Sequence, residues 1–141
     1  MNYQEQAKML DDTANLCERI VPLMAGTFRD SVVSLMDNLN FTIESLSEAS
    51  QVGTSAIKHI RNDISYRPSY KTLVALCIGM KLPPSVSRLL IAQSGTRPIA
   101  GYKADMLYET MLNMYWNKSI YEVNQLLKLM GVPTLTKPKE E

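Results

Sequence analysis

FTIESLSEASQVGTSAIKHIRN, residues Phe41 to Asn62, decides how this chain is read. Thr42 is placed to cap a short helix that Leu46 anchors, because a threonine hydroxyl accepts an orphan N–H of a first turn. Gln51-Val52-Gly53 interrupts that helix, and a second one starts at Thr54 with Ile57 and Ile60 inward. Two short helices joined by a tight turn form the helix-turn-helix pattern. The second helix presents Thr54, Ser55, Lys58, His59 and Arg61, a polar and basic set without a carboxylate. A DNA reader and a small helical packing unit both fit at this point.

Upstream, Thr27 opens a helix with Asp30 three residues on, and Phe28, Val32, Leu35, Met36 and Leu39 keep one apolar face. Before it, residues 3–24 read as a helical extension on Met9, Leu16, Ile20 and Leu23, with Asp11-Asp12-Thr13 as an internal start. That extension covers the core or forms a dimerisation arm. Downstream, Pro68 disfavours helix at Arg67. Ser69 caps a helix through Leu73, Leu76, Cys77 and Met80; Leu82-Pro83-Pro84-Ser85 ends it and opens another, which Gly95 closes. Two more helices follow, one carrying Met106 to Trp116 and one opened by a Ser119–Glu122 capping box and stopped by Gly131 and Pro133. The run Ser45 to Ser50 reads as a solvated helix face. No strand alternation is sustained, so the expected fold is all-α with about seven helices. The divisions are 1–26, an N-terminal helical extension; 27–95, a helix-turn-helix domain; 96–133, a C-terminal helical pair; and 134–141, a flexible tail.

Hydrophobic residues make up 45% of the 141, enough for a core. No run of 18 apolar residues appears, so no membrane span is expected. The start, MNYQEQAKMLDD, is polar and acidic, unlike a secretory signal. Cys17 and Cys77 match no ligand or redox spacing and read as two buried thiols in a reducing cytoplasm. His59 is the single histidine, which leaves no zinc set and no general base with a nearby carboxylate. No catalytic residue, metal site or cofactor is expected, and the chain reads as a non-enzyme.

Charge is uneven. The chain is +1 overall, yet residues 53–104 hold eight basic side chains against Asp63 alone, a local +7. A basic cluster of this kind is the footprint of phosphate binding. Tyr102, Tyr108, Tyr115, Trp116 and Tyr121 concentrate aromatics in the C-terminal part. They read equally well as the core of that helix pair and as a surface for a protein partner.

From Phe28 to Gly95 the chain resembles the Cro/repressor-type, or Xre-type, helix-turn-helix family. The matching residues are Phe41-Thr42, Leu46, Val52, Ile57, Ile60-Arg61-Asn62, Arg67-Pro68-Ser69, and then Leu73, Leu76 and Leu82. The resemblance implies a five-helix, lambda-repressor-like domain with flanking helices, binding double-stranded DNA in the cytoplasm as a homodimer that regulates transcription. It places Thr54, Ser55, Lys58 and His59 at base edges, with Lys58 also within reach of phosphate. It places Thr42, Arg61, Asn62, Arg67 and Lys71 at phosphates. Three departures stand out: Gln51 replaces the usual turn glycine, Ile43 replaces the usual glutamine, and the reading residues Thr54 and Ser55 are small. The alternative is a protein-interaction module, antitoxin-like or an adaptor, that keeps the fold.

Overall fold

The computed structural model describes residues 1–24 and 26–137. Among them lie eight α-helices and no strand: α1 (Tyr3–Ile20), α2 (Phe28–Asn38), α3 (Ile43–Ser50), α4 (Thr54–Asn62), α5 (Tyr70–Gly79), α6 (Pro84–Ser94), α7 (Lys103–Met114) and α8 (Ile120–Leu129). A 3-10 turn, Val21–Met24, follows α1. The all-α expectation holds. The count is eight where about seven were expected.

The caps explain the boundaries. The hydroxyls of Thr27, Ser69 and Ser119 accept the amides of Asp30, Thr72 and Glu122. Thr42 and Ser45 cap reciprocally: Ser45 N–H donates to Thr42 Oγ1 at 3.0 Å, and Thr42 N–H to Ser45 Oγ at 2.8 Å. Each such pair satisfies two of the four orphan donors of a first turn. Gly95 and Gly131 end α6 and α8 with positive φ. The internal start at Asp11-Asp12-Thr13 is not used. Asn2 caps α1, and the Thr13 hydroxyl donates to the Met9 carbonyl inside one continuous helix.

α5 is the central helix. Leu73 to Met80 are all buried, and α3, α6, α7 and α8 pack around it. Near its end the chain is glycine, and the reason is steric. A Cβ on Gly79 would lie 2.6 Å from Ser50 Cβ and 2.8 Å from Ser50 Cα. The end of α3 therefore rests directly on the α5 backbone. Of the two thiols expected to be buried, Cys77 is buried and Cys17 only half-buried.

The C-terminal end corrects one expectation. Residues 134–136 are fastened to α8, not loose. Leu135 is buried, its amide donates to Asn124 Oδ1, and Asn124 Nδ2 donates to Thr136 Oγ1. The Tyr108 hydroxyl donates to the Pro133 carbonyl just before. The rest of the expected tail, 138–141, lies outside the described residues. No described helix is long and apolar enough to cross a membrane.

Candidate nucleic-acid interface

The turn between α3 and α4 is built by serines. Ser47 and Ser50 are buried, which corrects the reading of Ser45–Ser50 as a solvated face. Ser47 Oγ donates to the Val52 carbonyl at 2.6 Å. Ser50 Oγ donates to the Leu46 carbonyl at 2.7 Å and accepts from the Val52 amide at 3.1 Å. These bonds occupy backbone groups that the turn would otherwise strand, and a stranded buried group costs about 1–3 kcal/mol. Gln51 takes the left-handed conformation, φ 59° and ψ 19°. Its amide donates to the Ser47 carbonyl, and its side chain Nε2 to the Glu48 carbonyl. Gln51 Oε1 is buried without a hydrogen-bond partner among the described residues. The turn keeps its compact form despite lacking glycine at this position.

With the turn set, α4 buries Ile57 and Ile60 on α2 and α3. Ser55, Lys58, His59 and Asn62 are exposed and Thr54 is half-buried. They form one stripe along the helix, opposite its apolar face. Gly53 gives α4 no side-chain cap, so no side-chain acceptor serves the N–H groups of its first turn. Such groups suit anionic partners.

Other predicted contacts are distributed differently. Thr42 is exposed, with its hydroxyl accepting the Ser45 amide. Arg61 is half-buried, and its Nη1 lies 3.5 Å from Met36 Sδ of α2. Arg67 is exposed, but its Nη1 donates to the carbonyls of Ile64 and Tyr66 and staples its own loop. Lys71, in the first turn of α5, borders a cleft shared with Thr96, Arg97 and Tyr102. The +7 segment is also not one patch. Lys81 Nζ donates to the carbonyls of Asn117 and Lys118, and Arg88 to Asn113 Oδ1 at 2.7 Å.

His59 has the most structured surroundings. Its ring stacks on Tyr66 with centroids 3.8 Å apart, and its Nε2 lies 3.4 Å from Asp63 Oδ2. The expectation that no carboxylate accompanies this histidine is corrected. Asp63 is one helical turn further on. Ser65 returns both its amide and its hydroxyl to Asp63 Oδ1, at 2.9 and 2.6 Å. These two bonds, then His59, hold the Asp63 carboxyl below its ordinary range. The same turn brings Tyr66 back under His59. The Asp-x-Ser spacing is an Asx-turn signal, and it is what sequence reading could have used to find Tyr66.

The C-terminal aromatics divide. Tyr108 is buried, whereas Tyr102 and Tyr121 are about half exposed. Tyr121 stands with Asn124, Gln125 and Lys128 of α8 beside Gln51 of the turn. No protein-family model, curated protein or solved structure matches the chain.

Proposed function

We propose that the chain is a DNA-binding transcriptional regulator with a lambda-repressor-like domain over residues 27–95. Helix α4 enters the major groove, and the protein acts as a homodimer. One observation carries the reading: α4 bears a stripe of exposed Ser55, Lys58, His59 and Asn62 with half-buried Thr54, without a carboxylate, on a helix whose start a buried turn fixes. A rigid helix with donors and acceptors on one face is what groove readout needs. Thr54, Ser55 and Lys58 reach base edges. His59 reaches them only from its stacked position on Tyr66. Lys58, Asn62 and Arg67 contact phosphates, and Arg61 acts mainly by bracing α4 on α2.

A dimer is supported by α1. Tyr3, Ala7, Leu10 and Ala14 recur at four-three-four spacing and are all exposed. That is the spacing of a coiled-coil seam, and a second copy of the same helix matches it with alanines against the larger Tyr3 and Leu10.

The protein-interaction reading has its own support. His59 and Arg67 are engaged within the chain, and Tyr121 is exposed. The two readings part in one experiment. Genomic fragments are selected at low salt, and their affinity is followed as salt rises. A DNA reader loses affinity steeply as counterions return. Lys58→Ala lowers affinity for every sequence and reduces the salt slope by about one, while Thr54→Ala changes which sequence is preferred. Absence of salt-sensitive duplex binding, together with one stoichiometric protein partner, overturns the DNA reading in favour of the second.

A further inference from the structure

A cavity of about 300 Å³ lies between α5, α6, α7 and the loop after Gly95, away from the α3–α4 pair. Ile91 and Leu112 contribute its apolar wall, and Arg88, Arg97, Glu109 and Tyr70 its polar groups. Ligand pockets have this character, an apolar lining with a few placed polar groups.

Three features show a site that is already assembled. First, Tyr70 is buried at 7% exposure and lines both this cavity and the adjoining cleft. No hydrogen bond within the described residues occupies its hydroxyl, so it is available to a molecule bound there. Second, Arg88 is held in place by its bond to Asn113 across α6 and α7. Third, the loop carrying Arg97 is anchored at both sides. Thr96 Oγ1 donates to the Pro68 carbonyl at 3.0 Å, Thr96 N–H to Ser94 Oγ at 3.1 Å, and Ile99 N–H to Asp105 Oδ2 at 2.8 Å.

The charges select the ligand. Neither arginine forms an ion pair with Glu109 among the described residues. A simple anion would meet the arginines but face Glu109, and a simple cation the reverse. We propose that this cavity binds a free α-amino acid with an apolar side chain. Its carboxylate lies on Arg97 and Arg88 and accepts from the Tyr70 hydroxyl. Its ammonium lies on Glu109, and its side chain on Ile91 and Leu112. Burial, with Glu109 and Asp105 nearby, raises the Tyr70 phenol above its ordinary value, so it remains a donor at neutral pH.

The test is independent of DNA. L-leucine, isocaproate (the same skeleton without the ammonium) and isoamylamine (without the carboxylate) are titrated into the full chain, followed by amide NMR. Saturable shifts of Gly95, Thr96 and Arg97 with L-leucine are expected. Isocaproate and isoamylamine should each bind about tenfold more weakly, the scale of a lost charged hydrogen bond. Arg97→Ala, at an exposed loop position that leaves the core intact, should weaken L-leucine binding by about tenfold. Tyr70→Phe should weaken it severalfold. No saturable shift with L-leucine, equal binding of either analogue, or unchanged binding by Arg97→Ala overturns the proposal.

Discussion

At the scale of single residues, Gln51 and Asp63 carry the sharpest consequences. A side chain in the left-handed region costs about 1–2 kcal/mol through its Cβ. Gln51 also buries an unpartnered Oε1. Against this, its Nε2 bond to the Glu48 carbonyl contributes about 1 kcal/mol, and glycine adds freedom to the unfolded chain. The two strain terms are the larger, so Gln51→Gly should raise the melting temperature. Gln51→Val, β-branched at positive φ, should lower it by several degrees; thermal denaturation of both variants checks the sign. Asp63 has the opposite character. Its pKa is lowered in the folded chain, so its contribution is present above the unfolded value and is lost as pH falls through the lower folded value. The Ser65 turn should therefore persist through neutral pH and open only in acid below the ordinary aspartate value of 3.8. NMR shifts of the Ser65 and Tyr66 amides across an acid titration report this. Asp63→Asn also removes a carboxylate beside the α4 stripe. On the DNA reading it should strengthen duplex binding by about two- to fivefold, the scale of an exposed charge interaction; weakened binding to every duplex would show that ordering His59 matters more than removing the charge.

At the scale of elements, the seat of α3 on α5 decides whether α4 is held at all. Gly79→Ala places a methyl within 3 Å of the Ser50 backbone, and neither helix can yield without moving a fully packed core. The expected loss is about 2–3 kcal/mol in denaturant unfolding, the upper range for overpacking, with hydrogen-exchange protection lost first around Ser47 to Ile57. A substitution that leaves stability unchanged would mean the helices separate freely. This element also shows what was legible in sequence. Helices α2 to α6 and their caps follow from apolar spacing and from Thr27, Thr42, Ser69 and Gly95, because those are local signals. The contact of Gly79 with Ser50, and the burial of Ser47 and Ser50, are not local. Serine in a polar-looking run gives no sign that its hydroxyl will close a turn. The candidate site divides in the same way. The α4 stripe was readable from helical phase alone. That Arg61 leans on Met36, that Arg67 staples its own loop, and that the +7 segment spreads toward α7 depend on where the chain returns in space.

For the whole molecule, the question is what α1 is for. From Met1 to Asp12 every residue is exposed, and only the end of the helix, at Ile20, enters the core. A helix with so little tertiary cover gains little from packing, which supplies most helical stability in proteins. The sequence spacing of Met9, Leu16, Ile20 and Leu23 pointed to the side facing the body; Leu16 is packed against the core, and Met9 and Leu16 line an open cleft with Trp116. The second stripe, Tyr3, Ala7, Leu10 and Ala14, escapes notice because alanines carry little hydropathy, and only exposure distinguishes it. If two copies pair along this stripe, ordering α1 and bringing two α4 helices onto one duplex become one equilibrium. Leu10→Asp then has a compound effect. It should convert a dimer to a monomer by size-exclusion mass measurement, reduce helical circular dichroism, and weaken duplex binding by more than the loss of one half-site contact explains. Because Leu10 is exposed, the melting of residues 28–129 should hardly change. A variant that stays dimeric would place the dimer contact elsewhere, and a wild-type monomer with full α1 helicity would remove the need for any partner on this stripe.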